Sequence, residues 1–139
     1  MINYQIYTDG SCRANGNGGI GIVWLKNNEK VLEYSKGFKE VTNNIMELKA
    51  IYFALCSIKQ KIDSLEIITD SEYCIGVLTN PKWKPKKNVE LISKIKQQIA
   101  ETQKLVESTI KWTHTKGHSD NIWNNYVDKL ATNESSMIL

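Results

Sequence analysis

Apolar residues fall at every second position in the first segment of the chain. Ile2, Tyr4 and Ile6 share one face of residues 2–8, the period of a half-buried strand. A second strand is expected over 18–27, glycine-rich at its start, and a third over 31–40. A turn at 28–30 joins them into an antiparallel meander. The period then changes. Met46, Ala50, Ile51, Ala54, Leu55 and Ile58 recur at intervals of three and four, which makes one face of a helix. Thr42, Asn43 and Asn44 supply its N-cap candidates.

Residues 64–70 read as a short buried strand, and 71–80 as a short helix stopped by Pro81. After a basic connector, residues 88–108 read as a long amphipathic helix with Leu91, Ile92, Ile95, Ile99 and Leu105–Val106 inward. A strand over 108–114, a loop, and a helix over about 121–134 complete the chain. Ile122, Tyr126, Val127, Leu130 and Ala131 mark the inner face of that last helix. The order β-β-β-α-β-α-α-β-α is that of a three-layer α/β domain. The 139 residues fit one domain, with 135–139 expected to fray.

Apolar residues make up 41% and charged residues 24%, an ordinary globular mix. A net charge of +3 permits a polyanionic partner without requiring one. Cys12, Cys56 and Cys74 are unevenly spaced and contain no C-x-x-C, so neither a zinc cage nor a disulfide framework is expected. Reduced thiols point to the cytoplasm. No apolar run approaches the roughly 18 residues that cross a bilayer. The first residues lack the basic head and apolar core of a signal peptide.

Gly16-Asn17-Gly18-Gly19-Ile20-Gly21 matches G-x-G-x-x-G. A dinucleotide loop needs those glycines to open a helix. Here Gly21 runs into an alternating strand, so the glycines fit a turn and a close backbone approach instead.

Four acids stand near element ends or on helices. Asp9 follows the first strand, Asp70 closes the central one, Glu47 lies early in the first helix and Asp128 lies in the last. Each has an ordinary reading: a turn for Asp9, a capping box from Asn44 to Glu47, an N-cap for Asp70, a solvated face for Asp128. Together they suggest more, because strands carrying Asp9 and Asp70 side by side would bring the carboxylates to one edge. Two such charges about 4 Å apart repel by about 4 kcal/mol at an effective dielectric near 20. A hard divalent cation removes that repulsion, and oxygen ligands suit Mg²⁺, with Mn²⁺ as a substitute.

The segments YTDGSCRANGNGGIG, TNNIMELKA, IITDSEY and KGHSDNIWNNYVDKLA resemble, in order and interval, the signatures of type 1 ribonuclease H. The resemblance covers nearly the whole chain. It implies a five-stranded mixed sheet flanked by helices, and hydrolysis of the RNA strand of RNA–DNA hybrids by two metal ions, leaving 5′-phosphate and 3′-hydroxyl ends. Asp9, Glu47, Asp70 and Asp128 match the metal-binding carboxylates. Glu47 is implied to accept from a ribose 2′-hydroxyl as well. His118 matches the histidine of the loop before the last helix, with proton transfer or product release as its implied role. His114 receives none.

The same resemblance places Cys12, Arg13 and Asn15 along the RNA minor groove, and Thr42, Asn43 and Asn44 against DNA phosphate and bases. Glu72 stands where a neutral amide is frequent. Some relatives carry a basic helical handle after the second helix. The interval from Asn80 to Asn88 is too short for one, so Lys82, Lys84, Lys86 and Lys87 around Trp83 are the candidates for tracking phosphate. Trp24, Met46, Trp112 and Trp123 are expected in the core. A free-standing monomer with no obligate protein partner and no membrane contact is expected, rather than a detached domain of a reverse transcriptase. The alternatives are a catalytically weak hybrid-binding module and a DNA-directed nuclease of the same superfamily.

Overall fold

The computed structural model describes residues 1–116 and 121–137. Its strands are β1 (Asn3–Cys12), β2 (Gly18–Lys26), β3 (Glu29–Phe38), β4 (Ser64–Thr69) and β5 (Lys111–His114). Its helices are α1 (Asn43–Cys56), α2 (Glu72–Thr79), α3 (Val89–Gln103) and α4 (Ile122–Met137). The strands form one mixed sheet in the order β3-β2-β1-β4-β5. β1, β2 and β3 pair antiparallel, whereas β4 and β5 join them in parallel. The element order and sheet are those expected from the sequence.

Asn27 and Asn28, at φ 50° and 71°, form the two-residue hairpin between β2 and β3. Two consecutive residues at positive φ match the twist of the strands they join, and asparagine tolerates that region. The turn therefore begins one residue earlier than expected, and β3 two residues earlier.

The sheet has two covered faces. On one, Ile6, Ile20, Ile22 and Ile67 pack with Met46, Leu48, Ile51 and Leu55 of α1, and with Ile92 and Ile95 of α3. On the other, Tyr7, Val23, Leu25 and Ile68 pack against Val127 of α4. Trp24 and Met46 are buried, while Trp112 and Trp123 are partly buried against the two clusters.

Several boundaries differ from the sequence pattern. β1 continues to Cys12, because its ladder with β2 extends through Asp9–Gly21 to Cys12–Gly18. Asp9 is therefore inside a strand. Thr42, not Asn44, caps α1 by accepting from the Ile45 amide at 3.3 Å. The capping box expected between Asn44 and Glu47 is not the cap used.

α3 stops at Gln103. The following Leu105 and Glu107 instead bond with Ile62, whose amide donates to the Leu105 carbonyl and whose carbonyl accepts from Glu107. Val106 still reaches the core, but from an isolated bridge. β5 begins at Lys111, later than its apolar pattern suggests. Ile122 lies exposed at the start of α4 rather than on its inner face. At the other end, α4 runs through Met137 and buries Ser135, past the expected fray point.

Candidate active site

Glycines decide how closely the helices approach the sheet. A Cβ on Gly19 or Gly21 of β2 would come within 3.0 Å of α4 backbone atoms at Ala131 and Val127. These two residues form a trough in which α4 lies, with Asp128 beside the Asp9–Gly21 pair. Gly10 does the same on the opposite face. A Cβ there would strike the Glu47 amide nitrogen and the Met46 backbone. Gly19 and Gly21 therefore seat α4 against β2, and Gly10 seats α1 against β1.

The result is a cluster of acids at the carboxyl ends of β1 and β4. Asp9, Glu47 and Asp70 each offer an oxygen within 4.8 Å of the other two. Asp128 lies close enough to Asp9 to help raise its carboxyl. All four sequence-selected carboxylates thus meet. Asp9 is 2% exposed and Glu47 6%, whereas Asp70 is half-buried and Asp128 exposed. His118 lies outside the described residues.

Electrostatics show how crowded the cluster is. Burial first, then the charges of Glu47 and Asp70, push the Asp9 carboxyl up to about 11. Burial and the Asp70 charge raise Glu47 to about 8, against hydrogen bonds from Asp9 and the Gly10 amide. Burial also raises Asp70; a hydrogen bond from Asp9 opposes this and the Asp128 charge adds to it. Glu47 Oε2 is buried with no hydrogen-bond partner, an arrangement that costs free energy unless something positive faces it. Hard oxygens, compressed charge and an orphaned carboxylate atom fit a divalent cation of the magnesium or manganese type.

Around the cluster lie the remaining sequence candidates. The loop after β1 is a tight turn: Arg13 donates to the Asn17 carbonyl at 2.8 Å, and Asn15 Oδ1 accepts from the Asn17 amide at 3.0 Å. Gly16, at φ 87°, accepts from the Val41 amide at 3.0 Å. The Cys12 thiol donates to the Val41 carbonyl at 3.1 Å. Loop 12–17 is thereby tied to the residues just before α1, beside exposed Thr42, Asn43 and Asn44. Glu72 projects from the first turn of α2 and is exposed.

Trp83 and Lys84 lie farther along this side. Together with Asn44, Tyr73, Lys86, Lys87 and Asn88 they line a pocket of about 390 Å³. Trp83 covers Gly76 and meets Tyr73 edge-on at 6.1 Å.

Three polar residues join the site that the sequence pattern did not single out. His114 Nε2 lies 3.2 Å from the Asp70 carbonyl. Asn124, buried, reaches the Lys116 carbonyl at 3.5 Å; its spacing of four residues before Asp128 was the available signal. Asn88 adopts φ 59° where α3 begins, and its side chain reaches the Tyr73 hydroxyl at 3.4 Å. A separate cleft of about 560 Å³, between the start of β1 and Lys111, includes none of the four acids.

A family model described as RNase H matches residues 2–136. A ribonuclease H of Clostridium botulinum (strain Hall) is 40% identical, with 94% of both chains covered. One from Actinobacillus pleuropneumoniae is 39% identical, over 91% of this chain and 86% of its own. Among solved structures, RNase H1 of Halobacterium salinarum superposes with a TM-score of 0.77 at 22% identity, covering 98% of this chain and 99% of its own. LC11-RNase H1 in complex with an RNA/DNA hybrid superposes with a TM-score of 0.76 at 26% identity, covering 96% of each chain.

Proposed function

The chain belongs to the ribonuclease H family, and from that premise we propose that it is an endoribonuclease that hydrolyses the RNA strand of RNA–DNA hybrids. The observation that carries this reading is the convergence of Asp9, Glu47 and Asp70 within 4.8 Å, with Asp128 near Asp9. The relative solved with an RNA/DNA hybrid supports the substrate class.

In this reading the four carboxylates hold two Mg²⁺ ions, with Mn²⁺ as a substitute. When bound, such ions would supply a nucleophile at neutral pH and neutralise charge on the attacked phosphate and the leaving 3′ oxygen. Asp9 and Asp70 provide the central oxygens. Glu47, with its unpartnered Oε2, would hold one cation and accept from a ribose 2′-hydroxyl, the group that distinguishes RNA from DNA. Asp128 completes the second position. His118 moves a proton at the leaving group or assists product departure.

The substrate contacts implied by the family resemblance fit the rim of this site. Cys12, Arg13 and Asn15, on the loop tied to Val41, face the RNA minor groove. Thr42, Asn43 and Asn44 at the start of α1 meet the DNA strand, where exposed helix N-terminal amides favour phosphate. Glu72 sits at the margin. Trp83 and Lys84, with Lys82, Lys86 and Lys87, serve as the phosphate-tracking patch in a chain too short here for a basic handle. Replacing the four lysines with glutamine lowers the log–log salt slope of hybrid binding by about 0.7–0.9 per lost phosphate contact. An unchanged slope removes the patch from the interface.

The protein is proposed to act as a cytoplasmic monomer without an obligate protein partner. Its three cysteines are unpaired, and no helix among the described residues is long and apolar enough to cross a membrane.

The direct test compares labelled RNA–DNA hybrid, RNA duplex and DNA duplex, with and without Mg²⁺ after chelation. Cleavage of the hybrid alone, only with metal, and with 5′-phosphate products is expected. Metal-independent cleavage, or equal cleavage of the DNA duplex, overturns the reading. Tight hybrid binding with no cleavage favours a binding module instead.

A further inference from the structure

Asp70 is the one acid of the four that lies outside a strand or helix. Asp9 is held within β1 by its pairing with Gly21 of β2, and Glu47 and Asp128 are held by helices. Some other contact must fix Asp70. β4 and β5 pair in parallel from Glu66–Lys111 to Thr69–His114. The Thr115 amide then donates to the Thr69 carbonyl at 2.9 Å. The next carbonyl, that of Asp70, lies beyond the end of β5. A side chain meets it: His114 Nε2, at 3.2 Å. A carbonyl oxygen only accepts, so Nε2 carries a proton. On the other side of Asp70, the Ser71 amide donates to the buried Thr69 hydroxyl at 3.1 Å.

We infer that His114 is a positioning residue: its Nε2–H extends the ladder by one bond, holds the Asp70 carbonyl, and so sets the carboxylate where the cation site needs it. The inference rests on the reading of Asp70 as a metal ligand. His114 does not touch the reacting atoms. Among the described residues its other nitrogen faces the exposed Glu72 carboxylate, at 3.8 Å, too long for a hydrogen bond, so the Asp70 carbonyl is the bond of structural consequence.

Two variants separate the hydrogen bond from the bulk of the ring. His114→Phe keeps a planar ring and loses the donor. His114→Gln keeps a donor at similar reach. The first readout, in the absence of substrate, is the Mg²⁺ concentration that gives half the metal-induced rise in Tm. The second is kcat and KM on labelled hybrid. The third is the imidazole nitrogen NMR signature of the wild-type protein.

His114→Phe is expected to move the Mg²⁺ midpoint upward about fivefold and to lower kcat by a similar factor, the size of one net hydrogen bond. KM for the hybrid stays unchanged, and His114→Gln stays within about twofold of wild type. The wild-type imidazole shows a proton on Nε2. The inference is overturned if His114→Phe matches wild type, if Phe and Gln fail alike, or if the proton resides on Nδ1 alone. A wild-type protein that neither gains Tm from Mg²⁺ nor needs it for cleavage sinks the metal reading itself. A metal-dependent wild type without the Phe–Gln difference sinks only the role of His114.

Discussion

Asp9 and Glu66 are carboxylates of neighbouring strands in one sheet, and their surroundings drive them in opposite directions. Glu66 sits near the start of β4, with its side chain 17% exposed. Burial alone would raise it. Gln5 Nε2 donates to it at 2.9 Å, the Thr113 hydroxyl donates to its other oxygen, and Lys111 stands 3.8 Å away. Those partners outweigh burial and hold the carboxyl below its ordinary range. Asp9, four residues beyond Gln5 on β1, is more deeply buried, and its neighbours are three further acids. Its one well-placed neutral donor is the Gly10 amide, at 2.9 Å. The contrast separates two uses of a buried charge. With donors around it, a carboxylate ties strands together. With like charges around it, a carboxylate holds the fold in an unfavourable state that a cation can relieve.

The largest expected effect is on turnover. Asp70→Asn is expected to lower kcat by on the order of a thousandfold or more, with hybrid affinity retained, because it removes a proposed metal ligand and leaves the rim intact. The same change takes one charge out of the cluster, so the metal-free Tm rises. Loss of activity with a gain in stability marks a site under electrostatic compression. Near-normal cleavage by Asp70→Asn in Mg²⁺ contradicts its place in the site. A lower metal-free Tm would make Asp70 an ordinary structural acid like Glu66.

Next in size is the close approach of α1. Gly10→Ala places a methyl against the Glu47 amide and the Met46 backbone. Overpacking of this kind costs about 1–3 kcal/mol, and here it also separates Glu47 from Asp9. Thermal melts should show the loss of stability, and the Mg²⁺ requirement for cleavage should rise. A variant that melts and cleaves like wild type would mean that α1 can give way without cost to the cluster.

The metal can also be removed and pH varied. Asp9 and Glu47 have folded-state values of about 11 and about 8, above their ordinary values of 3.8 and 4.5. For a raised acid the folded state holds its proton longer than the unfolded state does. Stability is then greatest below the ordinary value and declines as pH rises toward the folded one. The metal-free Tm should therefore fall between about pH 5 and pH 8. Saturating Mg²⁺ should flatten that decline, so the Tm gained from metal grows with pH. At a hundredfold excess over Kd the gain is about 2.7 kcal/mol, several degrees for a chain of this size. A metal-induced shift that shrinks with rising pH contradicts the assignment.

The periodic parts of this architecture are legible in the chain. Ile2, Tyr4 and Ile6 announce β1, and Met46 through Ile58 announce the inner face of α1, because burial on one face imposes its period on the sequence. The four acids are legible for another reason: each stands beside residues that resemble a known family. Less legible is whatever depends on register between distant segments. Asp9 reads as a strand-end residue until β2 continues the ladder through Gly18. The partnership of Gly19 and Gly21 with α4 is invisible, because glycine signals a turn as readily as a trough. His114 falls on a strand, and only the pairing of Thr69 with His114 brings it to Asp70. Leu105 and Val106 continue the helical rhythm of α3 and leave the helix anyway, because Ile62 bonds with their backbone neighbourhood.

The smallest expected effect tests the other half of the contrast. Glu66→Gln keeps an acceptor for Gln5, while the Thr113 hydroxyl can turn and accept from the new amide. What is lost is a charge-assisted share of two hydrogen bonds and a weak, largely exposed pairing with Lys111. The cost at neutral pH is then about 0.5–1 kcal/mol, without change in kcat. Its pH dependence runs opposite to that of the acid cluster. A lowered carboxyl contributes stability above its ordinary value of 4.5, and that contribution is lost as pH falls through the folded-state value. The gap between wild type and Glu66→Gln should therefore close on acidification, where the metal-free cluster is at its least strained. A Glu66→Gln protein that melts higher than wild type at pH 7 would show that burial, not partnership, decides the state of carboxylates on this sheet, and the distinction between Asp9 and Glu66 would fail with it.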